Sequence, residues 1–427
     1  MSSITIHSLT PTVFFKAEDS TEQLLQLFDV QLSSDGGFER PILEGPDGRW
    51  EGVPLELDSG SQTVDILLPD IREVCQLTLW FGEASFSFTH KPCRHWNVHL
   101  VHFAHHDIGY TDIASHVLCE MAGYLDDCLE YCSQTDDFPE ESRFRYTIEQ
   151  GWSLLWWMKN RPEEKVQEMM NRIREGRIEV NAFIGNQTTE LHSSEELIRA
   201  MYPVFALKRK YGIDITTAEH NDIPGISWGV AEALAGAGIR YFAPGLPDYF
   251  RWGQQYHTFW DEDKVVPGRR PHAFWWESPS GKRLRFWYHT DGAGGPIDPA
   301  LNCIEERLTH LEASDYPFDL YRLIVRGGER DNSNTRIDYA HTVRKWNREW
   351  AYPRLITSLN SRFFPLLEQQ LPGDMPVFRG ELPGTDYSPA ACCTAGPSSL
   401  NRNTHSHIGA AERFAALASL LTDAHYP

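Results

Sequence analysis

The sequence contains no apolar run long enough to cross a membrane, which argues against a membrane-spanning protein. The opening residues, MSSITIHSLT, have neither the basic segment nor the apolar segment of a secretory signal peptide. The 8 cysteines have no regular spacing, and two of them are neighbours at Cys392 and Cys393, so no disulfide framework is expected. These absences predict a cytoplasmic protein with reduced thiols.

Basic residues are also scarce relative to acidic ones. The chain has 39 Lys and Arg against 60 Asp and Glu, which gives a net charge of -21. Because nucleic acids and anionic membrane surfaces bind basic patches, neither is expected as a partner. The hydrophobic share of 41% and the charged share of 23% are those of a folded globular protein, and the length allows two or three domains.

Aromatic residues are abundant by comparison. The chain has 14 Trp, and four of them form the pairs Trp156-Trp157 and Trp275-Trp276. Exposed aromatic rings stack on sugars, whereas buried ones fill the core, and the sequence leaves both interpretations open.

Residues 1–95 alternate short strand-like runs with turns. The runs are ITIHSL, PTVFFKA, LLQLFDVQL, TVDILLP and CQLTLWF, and Gly36-Gly37 is one of the turns between them. Repeated short strands with turn residues between them predict a small antiparallel β domain that resembles a sandwich.

Residues 96–399 change to alternating strands and helices. The strand-like segments are residues 97–103, 143–148, 177–183, 213–218, 239–243, 283–288, 321–325, 354–357 and 376–380. Such alternation predicts an α/β domain with a parallel sheet and crossover helices, either a barrel or an open doubly wound sheet. The number of strands favours a (β/α) barrel of seven or eight strands, with its catalytic residues at the carboxyl ends of the strands.

The helices between these strands have recognisable ends. Pro162 begins a helix that Gly176 ends, and Ser193 begins another that Gly212 ends. Residues 400–427 read as the start of a helical segment, of which AAERFAALASLL is apolar on much of its circumference. Such a helix needs partners, so either further helices follow it, or it packs on the barrel or on a second subunit.

Polar clusters follow several of the predicted strands. They contain His105, His106 and Asp107 after the first strand, Glu190 in IGNQTTELH, Asp222 in EHNDIPG, Glu329 and Asp331 in RGGERDNSN, and Asp386 in ELPGTDYS. Any one of them is an ordinary loop composition. Because the carboxyl ends of the strands form the active face of such a domain, we interpret the five together as an enzyme site.

The first cluster has the ligand types of a divalent metal. Imidazole nitrogen and carboxylate oxygen are ligands that Zn²⁺ binds, so His105 and Asp107 are the candidate ligands. The alternative is a polar turn whose His106 and Asp107 cap the following helix. On strict strand alternation His106 faces the other way and is expected to be structural.

These motifs resemble the family 38 glycoside hydrolases, the class II α-mannosidases. His-x-Asp-x-Gly-aromatic at a first strand end is similar to the metal-binding start of that family, and the resemblance continues in order to about residue 421. The later segments that carry it are residues 222–225, 271–284, 328–335 and 380–382. The resemblance implies a carbohydrate substrate, Zn²⁺ on His105 and Asp107, and Glu329 or Asp331 as the general acid.

Three positions depart from the family pattern, and the mildest change is at the acid/base Asp, which Glu329 replaces with Asp331 close by. Thr188 stands where the family has its nucleophilic, metal-binding Asp, and Glu190, the nearest carboxylate, is the candidate replacement nucleophile or ligand. The late His ligand is also absent from its place, near which Asp386 lies as a candidate third ligand. A threonine cannot form the usual glycosyl ester, so the standard retaining route is in question.

The leading hypothesis is therefore a zinc-dependent glycoside hydrolase, in which a water or a metal-bound hydroxide replaces the missing nucleophile. The alternatives are a metal-dependent sugar lyase or isomerase, a metal-dependent deacetylase, and a carbohydrate-binding relative without activity. Loss of the nucleophile fits the lyase at least as well as the hydrolase. The apolar helix predicted at residues 410–421 leaves a homo-oligomer open.

Overall fold

A computed structural model describes residues 3–18, 23–46, 48–109, 111–221, 223, 225–243, 273–287, 301–314, 316–328, 330, 332–383 and 395–426. The chain divides into two compact units. The first comprises Met1–Thr147, Gln167–Glu179 and Gly294–Gln370, and the second comprises Ile148–Val166, Val180–Ala293 and Leu371–Pro427. Neither unit is a continuous stretch of the chain.

The first unit begins with two antiparallel sheets. One contains β1 (Ile4–Ala17), β2 (Leu24–Glu39) and β5 (Leu55–Pro69) in the order β1-β2-β5. The other contains β3 (Pro41–Gly45), β4 (Gly48–Glu51), β6 (Cys75–Phe81) and β7 (Ala84–His90) in the order β4-β3-β6-β7.

The two sheets share one hydrophobic core. Phe28 and Val30 of β2 and Leu79 and Phe81 of β6 are among its buried residues. These side chains lie two residues apart in each strand, so they point to the same face of the sheet. The alternating pattern of the sequence thus correctly predicts the small antiparallel β region.

A parallel sheet completes the strands of the first unit. β8 (Asn97–His102) lies between β16 (Leu320–Val325) and β17 (Arg354–Ser358) and runs parallel to both. Every residue of β16 is buried. Strands covered on both faces are rich in apolar residues, as β8 is at Val98, Leu100 and Val101, and all residues of β8 after Asn97 are buried.

The helical elements of this unit follow or connect those strands. They are α1 (Ala114–Gln134), the 3₁₀ helix η1 (Glu140–Ser142), α7 (Ile304–Ala313), α8 (Asp338–Glu349) and α9 (Asn360–Gln370). Elsewhere, β9 (Tyr146–Ile148) pairs with β10 (Ile178–Val180), and α3 (Glu163–Arg174) precedes β10. The helix predicted between Pro162 and Gly176 is thereby confirmed.

The second unit contains a mixed five-stranded sheet. Its order is β11-β13-β15-β14-β18, formed by β11 (Thr217–Ala218), β13 (Tyr241–Phe242), β15 (Arg283–Trp287), β14 (Ala273–Glu277) and β18 (Val377–Arg379). β14 is antiparallel to β15, and the other pairs are parallel. A separate pair joins β12 (Gly225–Ile226) to β19 (Leu382–Pro383).

The helices of the second unit are α2 (Gly151–Lys159), η2 (Thr189–Leu191), α4 (Ser194–Arg199), α5 (Tyr202–Tyr211), α6 (Trp228–Gly236) and α10 (Ala395–Leu421). The helix predicted to begin at Ser193 is divided into α4 and α5. Pro203 lies at the start of α5 and has no N–H to donate, and its ring would clash with a preceding carbonyl in an unbroken helix.

The described strands form separate sheets, none of which closes on itself, so the seven- or eight-stranded barrel is not found in this part of the chain. Several strands have only two or three residues, which leaves few ladder bonds to join neighbouring sheets. The predicted alternation of strands and helices is nevertheless present.

Helix α10 exposes large apolar side chains, among them Leu400, Phe414 and Leu420. It contacts α4 through an ion pair between Arg199 and Glu412, and His405 Nε2 lies 2.7 Å from Glu196 Oε1. Within the described part of the chain, no helix has the length and apolar character that crossing a membrane requires.

Candidate active site

The carboxyl end of β8 brings His105 and Asp107 together. The strand ends at His102, and the following residues stay buried up to His106. The His105 Nε2 atom lies 3.3 Å from an Asp107 Oδ1 atom, and the two side chains are 9% and 18% exposed. The imidazole and the carboxylate that the sequence proposed as ligands therefore converge.

Asn332 fixes the backbone that carries Asp107. Its Oδ1 atom accepts a hydrogen bond of 2.8 Å from the Asp107 N–H, and its Nδ2 atom donates to the Asp107 carbonyl at 2.9 Å. The same amide donates to the Thr111 hydroxyl at 2.8 Å. Asn332 is 1% exposed, so its amide is held by these partners rather than by water. His105, Asp107 and Asn332 are called the β8 cluster.

The sequence singled out the loop that contains Asn332 but not this residue. The signal lies in the parallel pairing of β8 with β16, in which Val101 faces Ile324 and His102 faces Val325. Residues that follow two paired parallel strands emerge at the same edge of the sheet. A polar residue a few positions after β16 was therefore a candidate partner for Asp107.

The β8 cluster fits a divalent cation in the type and spacing of its donors. With Zn–N and Zn–O bonds of about 2.1 Å, two ligands of a tetrahedral zinc ion lie about 3.4 Å apart. The observed separation of 3.3 Å agrees with that spacing. Among the described residues, no three His, Cys, Asp or Glu side chains form a metal-binding group. The described part of the site is therefore a pair of donors.

His102 is structural. Its Nδ1 atom donates to the Val325 carbonyl at 3.1 Å, and its Nε2 atom accepts from the Arg336 N–H at 3.3 Å. Burial lowers the pKa of His102 to about 4, so the ring is neutral at pH 7. Both nitrogens are used in holding the loop after β16, which leaves none for a metal.

Four of the predicted site residues, Glu329, Asp331, Asp222 and Asp386, lie outside the described residues. The general acid and the third metal ligand therefore stay predictions.

The segment around the expected nucleophile position is described. Thr188 precedes η2, and its carbonyl accepts a hydrogen bond from His192 Nδ1 at 3.1 Å. The Thr189 hydroxyl accepts from the Ser227 N–H at 2.8 Å, which ties η2 to the start of α6. Glu190 is exposed. Partial burial of its carboxyl and the charge of Glu381 raise the pKa of Glu190.

A second polar cluster follows β9, β10 and β11. Asn221 Nδ2 donates to Glu149 Oε1 at 2.7 Å, and Asn181 Nδ2 donates to the Glu149 carbonyl at 3.2 Å. The Asn221 N–H donates to Asn186 Oδ1 at 3.4 Å. These four residues and His220 are called the β11 cluster. Glu149 was not among the predicted site residues, although it is the first residue after a predicted strand.

His220 is almost fully enclosed, with 1% of its surface exposed. Its ring lies 4.6 Å from the ring of Phe183 and 5.9 Å from that of Phe242. Burial lowers the pKa of His220 to about 4, while the nearby Glu149 opposes this shift. The imidazole is therefore neutral at pH 7, with one donor and one acceptor nitrogen.

A protein-family model matches most of the α/β region of this chain. The family model described as "Glycosyl hydrolases family 38 N-terminal domain" matches residues 95–381, about two thirds of the chain. The match begins one residue before Trp96, includes the β8 cluster and the β11 cluster, and ends at Glu381.

Solved structures from Enterococcus faecalis are similar to this chain. An alpha-mannosidase is 18% identical with a TM-score of 0.53, and the match covers 67% of this chain and 31% of that one. A protein of the glycosyl hydrolase family 38 is 15% identical with a TM-score of 0.45, covering 68% of this chain and 29% of that one. The chain thus spans about a third of the length of these structures.

Among curated protein sequences, none matches this chain. The alpha-mannosidase structure supports the fold, and the family model supplies the membership because it spans more than half of the sequence. The chain belongs to the glycosyl hydrolases of family 38, of which it contains the N-terminal domain.

Proposed function

We propose that this protein is a zinc-dependent glycoside hydrolase that cleaves α-mannosides or closely related glycosides. The observation that carries the proposal is the 3.3 Å approach of His105 Nε2 and Asp107 Oδ1 at the end of β8, inside the family 38 segment. An imidazole and a carboxylate at that separation are suited to binding a divalent cation. A solvent-exposed loop is a poor explanation of this arrangement, because both side chains are largely buried.

In this proposal His105 and Asp107 hold Zn²⁺, and Asp386 supplies a further ligand. The bound ion would act as a Lewis acid toward sugar oxygens. Asn332 orients Asp107 by bonding both its N–H and its carbonyl, so that the carboxylate is positioned before a ligand arrives.

Proton transfer to the leaving oxygen is assigned to Glu329 or Asp331. A general acid must be protonated near neutral pH, which requires a raised carboxyl pKa. Glu190 has that direction of shift, so it is the reserve candidate for proton donation.

Attack on the sugar carbon is assigned to water. Thr188 has no carboxylate with which to form a glycosyl ester, and the nearest carboxylate along the chain belongs to the exposed Glu190. The same substitution supports a second candidate, a metal-dependent sugar lyase, because elimination needs no covalent nucleophile.

The test compares the metal content and activity of the purified protein with those of His105→Ala and Asp107→Ala. His116→Ala is a matched control, because His116 is a histidine of the same unit with a side chain 64% exposed. We expect near-stoichiometric zinc in the wild type and in the control, and loss of zinc in both ligand variants.

Activity is followed with 4-nitrophenyl α-mannoside and with other aryl glycosides, by release of nitrophenol and by absorbance of unsaturated products. Hydrolysis that disappears with the zinc supports the proposal. Unsaturated products would replace it with the lyase. Folded protein that contains no zinc, with no difference between wild type and ligand variants, would overturn it.

A further inference from the structure

The β11 cluster takes no part in the proposed reaction, yet it concentrates polar atoms at the ends of three strands. Glu149 is 3% exposed, Asn181 0%, His220 1% and Asn221 5%. Residues that bury polar groups this fully normally give each of them a hydrogen-bond partner. The hydrogen bonds of the individual polar atoms therefore show whether the cluster is complete without a ligand.

One half of the cluster is held by internal hydrogen bonds. Asn221 uses its side chain on Glu149 and its backbone N–H on Asn186. Asn181 donates to the Glu149 backbone carbonyl. These bonds fix the positions of the amide groups and of the Glu149 carboxylate without any external ligand.

The other half has no partner among the described residues. Both ring nitrogens of His220, the Oδ1 atom of Asn181 and the Nδ2 atom of Asn186 are buried without a hydrogen bond in that part of the chain. A histidine that served only to pack between Phe183 and Phe242 would bury two polar nitrogens without compensation, which a phenylalanine would avoid.

The unpaired atoms define the chemistry of a ligand. A neutral imidazole offers one donor and one acceptor, Asn181 Oδ1 is an acceptor, and Asn186 Nδ2 is a donor. A hydroxyl group both donates and accepts, so neighbouring hydroxyls can satisfy alternating donors and acceptors. An anion would be repelled by the Glu149 carboxylate, and a cation would meet the Asn186 donor.

We propose that the β11 cluster is a subsite that binds a sugar through neighbouring hydroxyl groups, with His220, Asn181 and Asn186 as its hydrogen-bonding residues. The choice of a sugar among hydroxylated ligands rests on the proposed function, but binding does not depend on the metal. Asn186 is half-buried and is the least enclosed of these three residues. The rings of Phe183 and Phe242 hold the imidazole in place.

The experiment is a titration of D-mannose into the zinc-free full-length chain, labelled with ¹⁵N in its histidine rings. We expect the two ring resonances that are missing from His220→Phe to shift on addition of mannose. Loss of two neutral hydrogen bonds, at about 1 kcal/mol each, predicts that His220→Phe weakens binding by at least about tenfold. Asn186→Ala tests the same site at a half-buried position where folding is safer.

His116→Phe is the control, because His116 lies on the exposed surface of α1 and should leave mannose binding unchanged. The inference is overturned if mannose leaves the His220 resonances unshifted, or if His220→Phe and Asn186→Ala bind mannose as the wild type does. Buried water would then account for the unpaired atoms.

The proposed function and the proposed subsite can be contradicted independently of each other. Mannose binding that is lost in His220→Phe, in a protein that hydrolyses no aryl glycoside, supports the subsite and contradicts the hydrolase. Zinc-dependent hydrolysis by a protein whose mannose affinity is unchanged in both variants supports the hydrolase and contradicts the subsite.

Discussion

The β8 cluster and the β11 cluster are both polar groups at strand ends, and each contains a buried histidine. They differ in how their hydrogen bonds are completed. Asn332 uses its amide oxygen and its amide nitrogen on Asp107 and Thr111. In the β11 cluster, both nitrogens of His220 lack a partner among the described residues.

Under the two proposals, this difference corresponds to two ways of preparing a site for its ligand. A metal site requires donors in fixed positions, so the protein satisfies the surrounding backbone itself. A sugar supplies its own donors and acceptors, so a sugar subsite leaves protein atoms unpaired until the ligand arrives.

The largest effect is expected when Asn332, which hydrogen-bonds the backbone of Asp107, is replaced. Asn332→Leu leaves the N–H and the carbonyl of Asp107 without their partner. At 1–3 kcal/mol for each of these two unsatisfied groups, the free energy of unfolding should fall by about 2–6 kcal/mol. Urea denaturation measures this change.

Ser333→Ala is the matched control for that variant. Ser333 is 5% exposed and adjoins Asn332, but its hydroxyl has no hydrogen-bond partner in the described part of the chain. Its removal should change stability by less than about 0.5 kcal/mol. Equal losses of unfolding free energy in the two variants would show that the hydrogen bonds of Asn332 to Asp107 do not stabilise the fold.

The next effect concerns the pH dependence of stability. Burial lowers the pKa of His99, His102 and His220 to about 4 in the folded protein, whereas an unfolded histidine has a pKa of about 6.5. Between these values the unfolded chain binds more protons, so stability must fall as the pH decreases from about 6.5 to about 4.

The variant His220→Phe removes one of these three contributions. At 1.36 kcal/mol for each pKa unit, its loss of stability over that pH range should be smaller than that of the wild type by about 3 kcal/mol. Denaturation at a series of pH values measures both proteins. Parallel pH profiles would mean that His220 is already solvated in the folded state.

A smaller effect is expected for His220→Phe at pH 8, where histidines are neutral in both states. The substitution keeps an aromatic ring and removes two unpaired buried nitrogens. We expect the free energy of unfolding to rise by about 1–2 kcal/mol, at the cost of mannose binding. Thermal and urea denaturation measure the gain. A loss of stability would indicate that the imidazole has protein or water partners.

The smallest effect is expected for Glu190→Gln. The side chain is exposed, and the pKa of Glu190 is raised by partial burial of its carboxyl and by the charge of Glu381. Stability at pH 8 should change by less than about 0.5 kcal/mol, in the stabilising direction. A fall of 2 kcal/mol in urea denaturation would assign Glu190 a structural role that its exposure contradicts.

Local signals were sufficient for much of the fold. Side-chain alternation predicted the antiparallel sheets, and Ser193 forms the helix cap that the sequence indicated, with Glu196 returning the bond to the Ser193 N–H. The division of that helix follows from one residue, Pro203, which the sequence shows. The continuous apolar pattern nevertheless led to the prediction of a single helix.

The candidate site was only partly readable. His105 and Asp107 are two residues apart in the sequence, so their pairing needs little beyond a turn. The partners that complete each cluster are distant: Asn332 follows Asp107 by 225 residues, and Asn221 follows Glu149 by 72. No periodicity or motif connects positions so far apart.

The sequence by itself determined which segments become strands and helices, because alternation, caps and prolines act within a few residues. It also determined the chemical types at each strand end. Tertiary structure alone decided which of them meet, since the parallel register of β8 and β16 delivers Asn332 to Asp107, and the ends of β9, β10 and β11 bring Asn181, Asn221 and Glu149 together. Those encounters depend on strand pairing between remote segments, which no local pattern encodes.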